Sequence, residues 1–367
     1  MVDFLIVGQG LAGSVLALQL LKHGKRILVI DNSKTNSASS VAAGIYNPIT
    51  GRGMVKTWLA EDLFPYLTHF YQEAEQILGA KILFPMPIFR PFLTAQERSE
   101  WLAKALESDY TSFLAKVVGA SYHRKNMLCR HGGIVLKQSG YLNVKGFLKA
   151  TRAYLEARGA YIGADFLYDH IRLGNHVTYQ NIKACQVIFC EGPQATKNPF
   201  FGTLPFRLVK GELILVSLPQ PLGVIYNKRV FVLPQVANQA VVGATYDAQD
   251  LSMSPTEKAR QTLEEKLRST FSLAYTVHEQ KTGIRPATFD RRPLIGLHPR
   301  YPQAGIFNGL GTKGVSLAPY FSKIFVEHLL LQKKLPLEVQ IGRVGLDWIQ
   351  TPKIAYSAPL GHNQSPN

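Results

Sequence analysis

The sequence predicts an α/β fold with a Rossmann-like nucleotide-binding region and a second region that is mainly β. An apolar strand, a glycine turn, a helix and a further strand follow one another directly in residues 2–31. A helix and strand rhythm resumes in residues 140–195, whereas residues 203–246 carry strand patterns joined by a short polar turn. At 367 residues, 46% of them hydrophobic, the chain is long enough for two domains.

The first element is a strand, turn and helix around three glycines. Gly8 permits the tight turn, Gly10 lets backbone N–H groups approach a pyrophosphate, and Gly13 lets the helix lie close to the sheet. The next strand ends at Asp31, where a carboxylate accepts hydrogen bonds from a ribose 2′-OH. Residues 2–31 therefore predict a dinucleotide site.

The middle of the chain alternates between loops, helices and extended runs. Residues 32–53 are rich in Ser, Ala and Gly and predict an ordered loop over a ligand. Residues 57–115 mix helical patterns with proline-rich extended runs, as expected of an insertion. A later helix is predicted with Ser254 as its N-cap, Pro255 at the first helical position and Glu257 closing a capping box.

The charge and the cysteines limit the classes of function. The formal net charge of +16 fits nucleic acid, an anionic small molecule or no specific partner. Basic clusters lie at residues 122–131, at Arg291 and Arg292 with Arg300, and at residues 333–334, and for each a solvated face is the simpler explanation.

The cysteines, Cys129, Cys185 and Cys190, show no CxxC spacing, which disfavours a metal site or a disulfide framework and fits a reducing cytoplasm. We expect no membrane association, because no apolar run reaches spanning length.

A second glycine-rich junction between a strand and a helix lies in residues 305–331. A nicotinamide dinucleotide site uses one such fingerprint for each Rossmann unit, whereas a flavin often needs a second helix N-terminus at its ring end. The two junctions therefore favour FAD over NAD.

Seven segments in order resemble the D-amino-acid oxidase (DAO) superfamily of FAD-dependent oxidoreductases, which contains glycine oxidase and sarcosine oxidase. They are "VGQGLAG" with "VID", "ASSVAAGIYNP", "VIFCEGPQA", "LPFRLVKGELI", "FVLPQVANQAVVGATYD", "GIRPATFDRRPLIG" and "NGLGTKGVSLAP". The resemblance implies a DAO/glutathione-reductase-2-like fold with a discontinuous FAD-binding domain at 1–50, 145–203 and 280–345. It also implies a mainly antiparallel substrate-binding domain at 51–144 and 204–279, followed by a C-terminal tail at 346–367.

The resemblance assigns cofactor contacts by position. The pyrophosphate would lie at the first glycine turn, the adenosine ribose at the end of the second strand, and the flavin along residues 39–45 and against the second glycine junction. The implied residues are Gly8, Gly10, Leu11, Ala12, Gly13, Asp31, Asn32, Ser39, Ala43, Gly44, Ile45, Tyr168, Gly192, Gly309, Leu310, Gly311, Thr312, Lys313, Gly314 and Val315.

Two residues are the implied substrate contacts. In the family the arginine of the G-x-R-P step, here Arg285, fixes a substrate carboxylate; the alternative is a structural pair with Asp290. Phe231 stands where some D-amino-acid oxidases carry a tyrosine, which disfavours a plain D-amino-acid oxidase.

The resemblance also implies a reaction. Hydride passes from the substrate α-carbon to flavin N5, the imine hydrolyses, and O2 reoxidises the flavin to give hydrogen peroxide, with Lys313 as a candidate to assist. No cysteine follows Cys190, so the cysteinyl-flavin link of some sarcosine oxidases is absent and FAD is expected to be non-covalent.

A narrower resemblance leaves the substrate open. "GGIVLKQSGYLN" and "GLGTKGVSLAPYFSKIF" resemble the oxidase half of the bifunctional enzyme for tRNA 5-methylaminomethyl-uridine biosynthesis. That resemblance implies a carboxymethylaminomethyl group on a wobble uridine as the substrate and tRNA as the partner of the positive charge. Small-amine oxidation is the first hypothesis, tRNA modification the second, and a non-catalytic flavoprotein the third.

Overall fold

A computed structural model describes residues 1–32, 38–51, 53, 55–122, 126–127, 129–345 and 349. The chain divides into two compact units, each built from separate stretches of sequence. Unit 1 comprises Met1–Ser40, Leu148–Leu208 and Arg285–Asn367, and unit 2 comprises Val41–Phe147 and Val209–Ile284.

The predicted α/β class is confirmed by helices and strands distributed along the described ranges. The helices are α1 (Leu11–Lys22), α2 (Ala38–Val41), α3 (Ala60–Leu78), α4 (Ala95–Lys104), α5 (Ser108–Thr111), α6 (Val144–Glu156), α7 (Glu257–Arg268) and α8 (Gly314–Leu331). The strands are β1 (Val2–Val7), β2 (Ile27–Ile30), β3 (Ile45–Tyr46), β4 (Ile49–Thr50), β5 (Val55–Lys56), β6 (Leu83–Pro85), β7 (Ile88–Pro91), β8 (Leu114–Val118), β9 (Gly133–Leu136), β10 (Gly140–Leu142), β11 (Tyr161–Ile162), β12 (Ile171–Leu173), β13 (Val177–Tyr179), β14 (Ile182–Phe189), β15 (Phe206–Ser217), β16 (Ile225–Lys228), β17 (Val230–Pro234), β18 (Gln239–Gly243), β19 (Thr276–Thr288), β20 (Leu294–Leu297) and β21 (Ala304–Asn308).

Unit 1 is built on a sheet whose central strands are parallel. The parallel neighbours follow the order β11, β2, β1, β14 and β21, and the antiparallel strands β13 and β20 pair with β14 and β21. Because chain order reverses between β1 and β14, this is a topological switch point, where α/β sheets bind ligands beyond the carboxyl ends of their strands. The register pairs Val7 with Phe189 and Phe189 with Ile306, so these carboxyl ends meet at one edge.

The apolar sequence of β1 follows from its central position in this sheet. Phe4, Leu5, Ile6 and Val7 are all buried, which requires cover on both faces. Leu5 and Val7 belong to a core cluster with residues of β14, β20 and β21. Helix α1 is apolar almost all round, with ten consecutive buried residues from Leu11 to Leu20, and packs against α8. The hydrophobic core of unit 1 therefore fixes where both helices begin.

Unit 2 contains an eight-stranded sheet in the order β19, β15, β18, β17, β16, β7, β9 and β8. Most of its pairs are antiparallel, and β16 with β7 is a parallel pair. Helix α7 packs on β17 and β18 and contributes Leu263 and Leu267 to the core. The predicted N-cap of α7 is wrong by two residues: Thr256 caps the helix by accepting a hydrogen bond from Ala259 N.

No helix in the described ranges is both long enough and apolar enough to cross a membrane. Among the same residues, no group of three or more His, Cys, Asp and Glu side chains is arranged to hold a metal ion.

Candidate active site

The candidate site of unit 1 is the edge of the sheet where three strands end in glycine turns. Gly8 after β1, Gly192 after β14 and Gly309 after β21 have φ angles of 98°, 57° and 74°, a region that favours glycine. The Asn308 side chain joins two of these turns, because it donates to Gly192 O at 2.9 Å and accepts from Gly309 N at 2.8 Å. The predicted glycines therefore share one rim.

Glycine is required for packing at two positions of the first glycine turn. A Cβ atom added at Gly13 would lie 1.9 Å from Gly8 O, and one at Gly8 would lie 2.6 Å from Cys190 O. At Gly10 the nearest atom would be Ser39 Oγ at 3.3 Å, a side-chain oxygen. Beside Gly10 the start of α1 is therefore approached by the Ser39 side chain and, among the described residues, by no backbone atom closer than it.

Two helix N-termini converge at this rim. The N-cap residues of α1 and α8, Gly10 and Lys313, make no capping hydrogen bond through a side chain, and neither helix has an acidic residue in its first turn. A Cβ atom added at Gly314 would lie 3.0 Å from Leu11 Cδ2, so the two starts are in contact. Ser39 Oγ accepts a hydrogen bond from Leu11 N at 3.1 Å. The positive ends of the two helix dipoles together favour a bound anion.

Asp31 and Asn32 follow β2 at the same edge. The Asp31 carboxylate accepts a hydrogen bond from Gln9 N at 2.9 Å and lies 3.6 Å from Arg152 Nη2. The Asn32 side chain donates to Asp165 at 2.6 Å. Asp31, the carboxylate predicted to bind the ribose, therefore lies beside the glycine turn. It contacts Arg152, which was not predicted from the sequence.

Tyr168 donates its hydroxyl hydrogen to Glu191, a residue that the sequence analysis also missed. Asn198 donates to the other carboxylate oxygen at 2.7 Å. Burial raises the pKa of Glu191 to about 7, although both hydrogen bonds act to lower it. A signal was present in the sequence, since Glu191 interrupts an apolar strand end just before Gly192.

Lys313 lies at the N-cap of α8, close to two arginines. Burial is the main cause that lowers the pKa of Lys313 to about 8, and the positive charges of Arg292 and Arg291 add to it. Phe289, on the same turn as the arginines, is 83% exposed. Positive charge is therefore concentrated near the start of α8.

Arg285 is partly buried near the end of β19, and the next residue contacts the second glycine junction. Pro286 O accepts a hydrogen bond from Gly311 N at 3.1 Å. The nearby Asp290 carboxylate accepts hydrogen bonds from both Nε and Nη2 of Arg343, at 2.8 and 3.2 Å. Asp290 is therefore a structural anchor for Arg343.

Four of the predicted residues, Ala43, Gly44, Ile45 and Phe231, lie in unit 2, whereas Ala12, Leu310, Thr312 and Val315 lie in unit 1. A Cβ atom at Gly44 would be 2.0 Å from Leu142 O, so the backbone approaches closely there between Ala43 and Ile45. Phe231 pairs with Gly243 across β17 and β18, and a Cβ atom at Gly243 would lie 2.8 Å from its ring. Gly243 therefore gives the Phe231 ring its space.

Curated relatives are similar to almost the whole chain. The bifunctional protein ThiO/ThiG of Trichormus variabilis is 24% identical over 406 residues, which cover 99% of this chain and 59% of that protein. The tRNA 5-methylaminomethyl-2-thiouridine biosynthesis bifunctional protein MnmC of Leptospira interrogans is 24% identical over 395 residues, 92% of this chain and 58% of that protein. The chain thus spans about three fifths of the length of these relatives.

Solved structures share the fold. Glycine oxidase from Bacillus cereus superposes with a TM-score of 0.76 at 19% identity, over 91% of this chain and 96% of that one. Iminodiacetate oxidase from Chelativorans sp. BNC1 gives a TM-score of 0.71 at 18% identity, over 92% and 98%. The model of the DAO family of FAD dependent oxidoreductases matches residues 3–328, and the chain belongs to this family of enzymes.

Proposed function

We propose that this enzyme oxidises the C–N bond of a small amine that carries a carboxylate, of the glycine, sarcosine or D-amino-acid type. The observation that carries the proposal is the position of Arg285, directly before the proline whose carbonyl accepts from Gly311. A guanidinium fork at that position binds a carboxylate through two parallel hydrogen bonds. The glycine oxidase and iminodiacetate oxidase folds support the same substrate class.

The donor set of unit 1 fits non-covalent FAD. The start of α1 would hold the pyrophosphate, Asp31 the adenosine ribose, and the start of α8 the negative charge of the reduced ring. When bound, FAD takes up a hydride from the substrate carbon and passes the electrons on, with O2 as the proposed acceptor. Burial raises the pKa of the Cys190 thiol well above its usual value, which keeps it a poor nucleophile and supports a non-covalent cofactor.

The chain's own residues supply binding, orientation and charge. Arg285 would hold the substrate carboxylate so that the carbon next to nitrogen faces the cofactor, and Phe231 would line the substrate side. Lys313 would place a positive charge near O2, the proposed electron acceptor. Unit 1 is accordingly proposed as the FAD-binding domain and unit 2 as the substrate-binding domain. The free thiols Cys129, Cys185 and Cys190 support a reducing, cytoplasmic compartment.

The test is the visible absorption spectrum of the purified protein under anaerobic conditions. A yellow protein that bleaches on mixing with pooled glycine, sarcosine, D-alanine and D-proline supports the proposal, and the pool is then divided to identify the amine. A yellow protein that stays oxidised rejects these amines. Admission of air then tests the acceptor, because an oxidase recovers its colour and releases hydrogen peroxide.

A second candidate function is oxidation of the carboxymethylaminomethyl group of a tRNA wobble uridine. The formal net charge of +16 favours it, together with the turn that presents Phe289, Arg291 and Arg292 beside Lys313. Arg285 would serve both substrates, because both are amines that carry a carboxylate. Bleaching by tRNA carrying this group, without bleaching by the small amines, would select the second candidate.

A further inference from the structure

Gln9, between the first two glycines, ties the glycine turn to helix α6. Gln9 is 2% exposed, and its Nε2 donates to Ser14 Oγ and to Leu148 O, both at 3.0 Å. Its backbone N–H donates to one oxygen of the Asp31 carboxylate at 2.9 Å. The fingerprint itself does not require a buried glutamine at this position, so the contacts of Gln9 are a feature of this chain.

Arg152, on α6, reaches both Gln9 and Asp31. Its Nε donates to Gln9 Oε1 at 3.1 Å, and its Nη2 lies 3.6 Å from Asp31 Oδ2, the oxygen that Gln9 N does not contact. The guanidinium lies 5.2 Å from the ring centre of Tyr161, whose hydroxyl donates to Asp31 O at 3.2 Å. The guanidinium of Arg152 is therefore held by Gln9 and Tyr161 beside the Asp31 carboxylate.

We propose that Arg152 is a positioning residue that fixes the Asp31 carboxylate to receive the adenosine ribose of the cofactor. A carboxylate has about four acceptor sites, and the contacts to Gln9 and Arg152 set its rotation while its side chain stays 21% exposed. A preorganised acceptor loses less side-chain entropy when the ligand binds. The inference rests on the proposed ribose position at Asp31 and is independent of which amine is oxidised.

A double-mutant cycle tests whether Arg152 acts through Asp31. The full chain, freed of flavin, is titrated with FAD by flavin fluorescence for the wild type, R152M, D31N and R152M/D31N. We expect R152M and D31N each to weaken FAD binding by about tenfold, and the double variant to bind no more weakly than D31N. R152K, which keeps the charge and loses the fork, should recover part of the loss. Multiplicative losses of about a hundredfold in the double variant would overturn the proposal.

FMN and a second arginine provide the controls. FMN lacks the adenosine half of FAD, so R152M should leave FMN affinity unchanged, whereas equal losses for FMN and FAD would show a merely structural role. Arg158, just after α6, lies 3.7 Å from the ring centre of Tyr154, and R158M should leave the affinity for FAD as it is. The anaerobic bleaching experiment measures oxidation of the amine and does not depend on the FAD titrations. The proposed function and the proposed role of Arg152 are therefore tested by different assays.

Discussion

At the scale of single residues, Arg285 carries the proposed recognition of the substrate. R285M keeps the length of the side chain and removes the fork, and should raise KM for the amine by about a hundredfold, as expected for loss of a charge-assisted pair. FAD content, read from the ratio of flavin to protein absorbance, should not change. R300M is the matched control. Arg300 is exposed and follows the end of β20, whereas Arg291 precedes the start of that strand. An unchanged KM in R285M would remove Arg285 from the substrate site.

Glu191 should make stability depend on pH. Its pKa rises from 4.5 in the unfolded chain to about 7 in the folded one, mainly through burial. Between these values the folded state holds a proton that the unfolded state has released, so the contribution is fully present below pH 4.5 and lost as pH rises through 7. The loss is at most about 3 kcal/mol.

E191Q should remove this dependence. The melting temperature of the wild type should fall more between pH 5 and pH 8 than that of E191Q, whatever the difference between the two proteins at pH 5. If the melting temperatures of the wild type and E191Q change equally between pH 5 and pH 8, the Glu191 carboxylate lies in a more polar environment than the structure gives it. Y168F serves as a second variant, because it removes the hydroxyl donor and keeps the titrating group.

At the scale of elements, Lys210 holds the segment that leads into α7. Lys210 is 1% exposed, and its ammonium group contacts Asp250 Oδ2 at 2.5 Å and Ser254 O at 2.7 Å, with Glu212 at 3.6 Å. K210M leaves the buried Glu212 without its cation and should destabilise the protein by about 3–5 kcal/mol. Urea unfolding measures this loss. K258M replaces an exposed lysine on α7 and is the control, and its free energy of unfolding should stay within about 0.5 kcal/mol of the wild type. If K210M is as stable as K258M, Lys210 has no structural role.

Local sequence signals predict some elements, whereas the contacts of Lys210 explain why the start of α7 was not predictable. The β1, α1 and β2 unit was predictable because its signals, three glycines and an acid, lie within 31 residues of one another. The start of α7 was not, because Ser254 O is engaged by Lys210 and Thr256 by Glu212, residues more than 40 positions away. Arg152 and Glu191 were missed for a related reason. Arg152 meets Gln9 across 143 positions, a contact that no local pattern reports.

At the scale of the whole molecule, the chain passes between its two units several times. Unit 1 draws on three stretches and unit 2 on two, so the sheet of unit 1 is completed by β14 and β21, far along the sequence from β1. Local periodicity predicts each strand but not its neighbour, and the resemblance to a family supplied the discontinuous arrangement. The substrate depends on side chains from separate stretches, which is why the sequence left two candidates.

The whole-molecule charge distinguishes these candidates, because binding to a polyanion is salt-dependent. If the turn with Arg291 and Arg292, together with Lys313, contacts about three phosphates, affinity for tRNA should fall by about fortyfold between 50 and 200 mM salt. The double variant R291E/R292E should flatten this dependence. K334E, beyond the other end of α8 and about 27 Å away along its axis, reverses a charge of the same class and should leave the slope nearly unchanged.

Fluorescence anisotropy of labelled bulk tRNA, titrated at four salt concentrations, measures the slope for all three proteins. A steep slope that depends on the arginine pair and not on Lys334 supports the tRNA candidate, since a localised contact releases counterions from a fixed number of phosphates. If K334E has about half the effect of the double variant, in proportion to the charge that each reverses, the net charge of +16 acts as a diffuse field without a binding surface. A flat slope in the wild type rejects tRNA as partner, and Arg285 then has only a small carboxylated amine to bind.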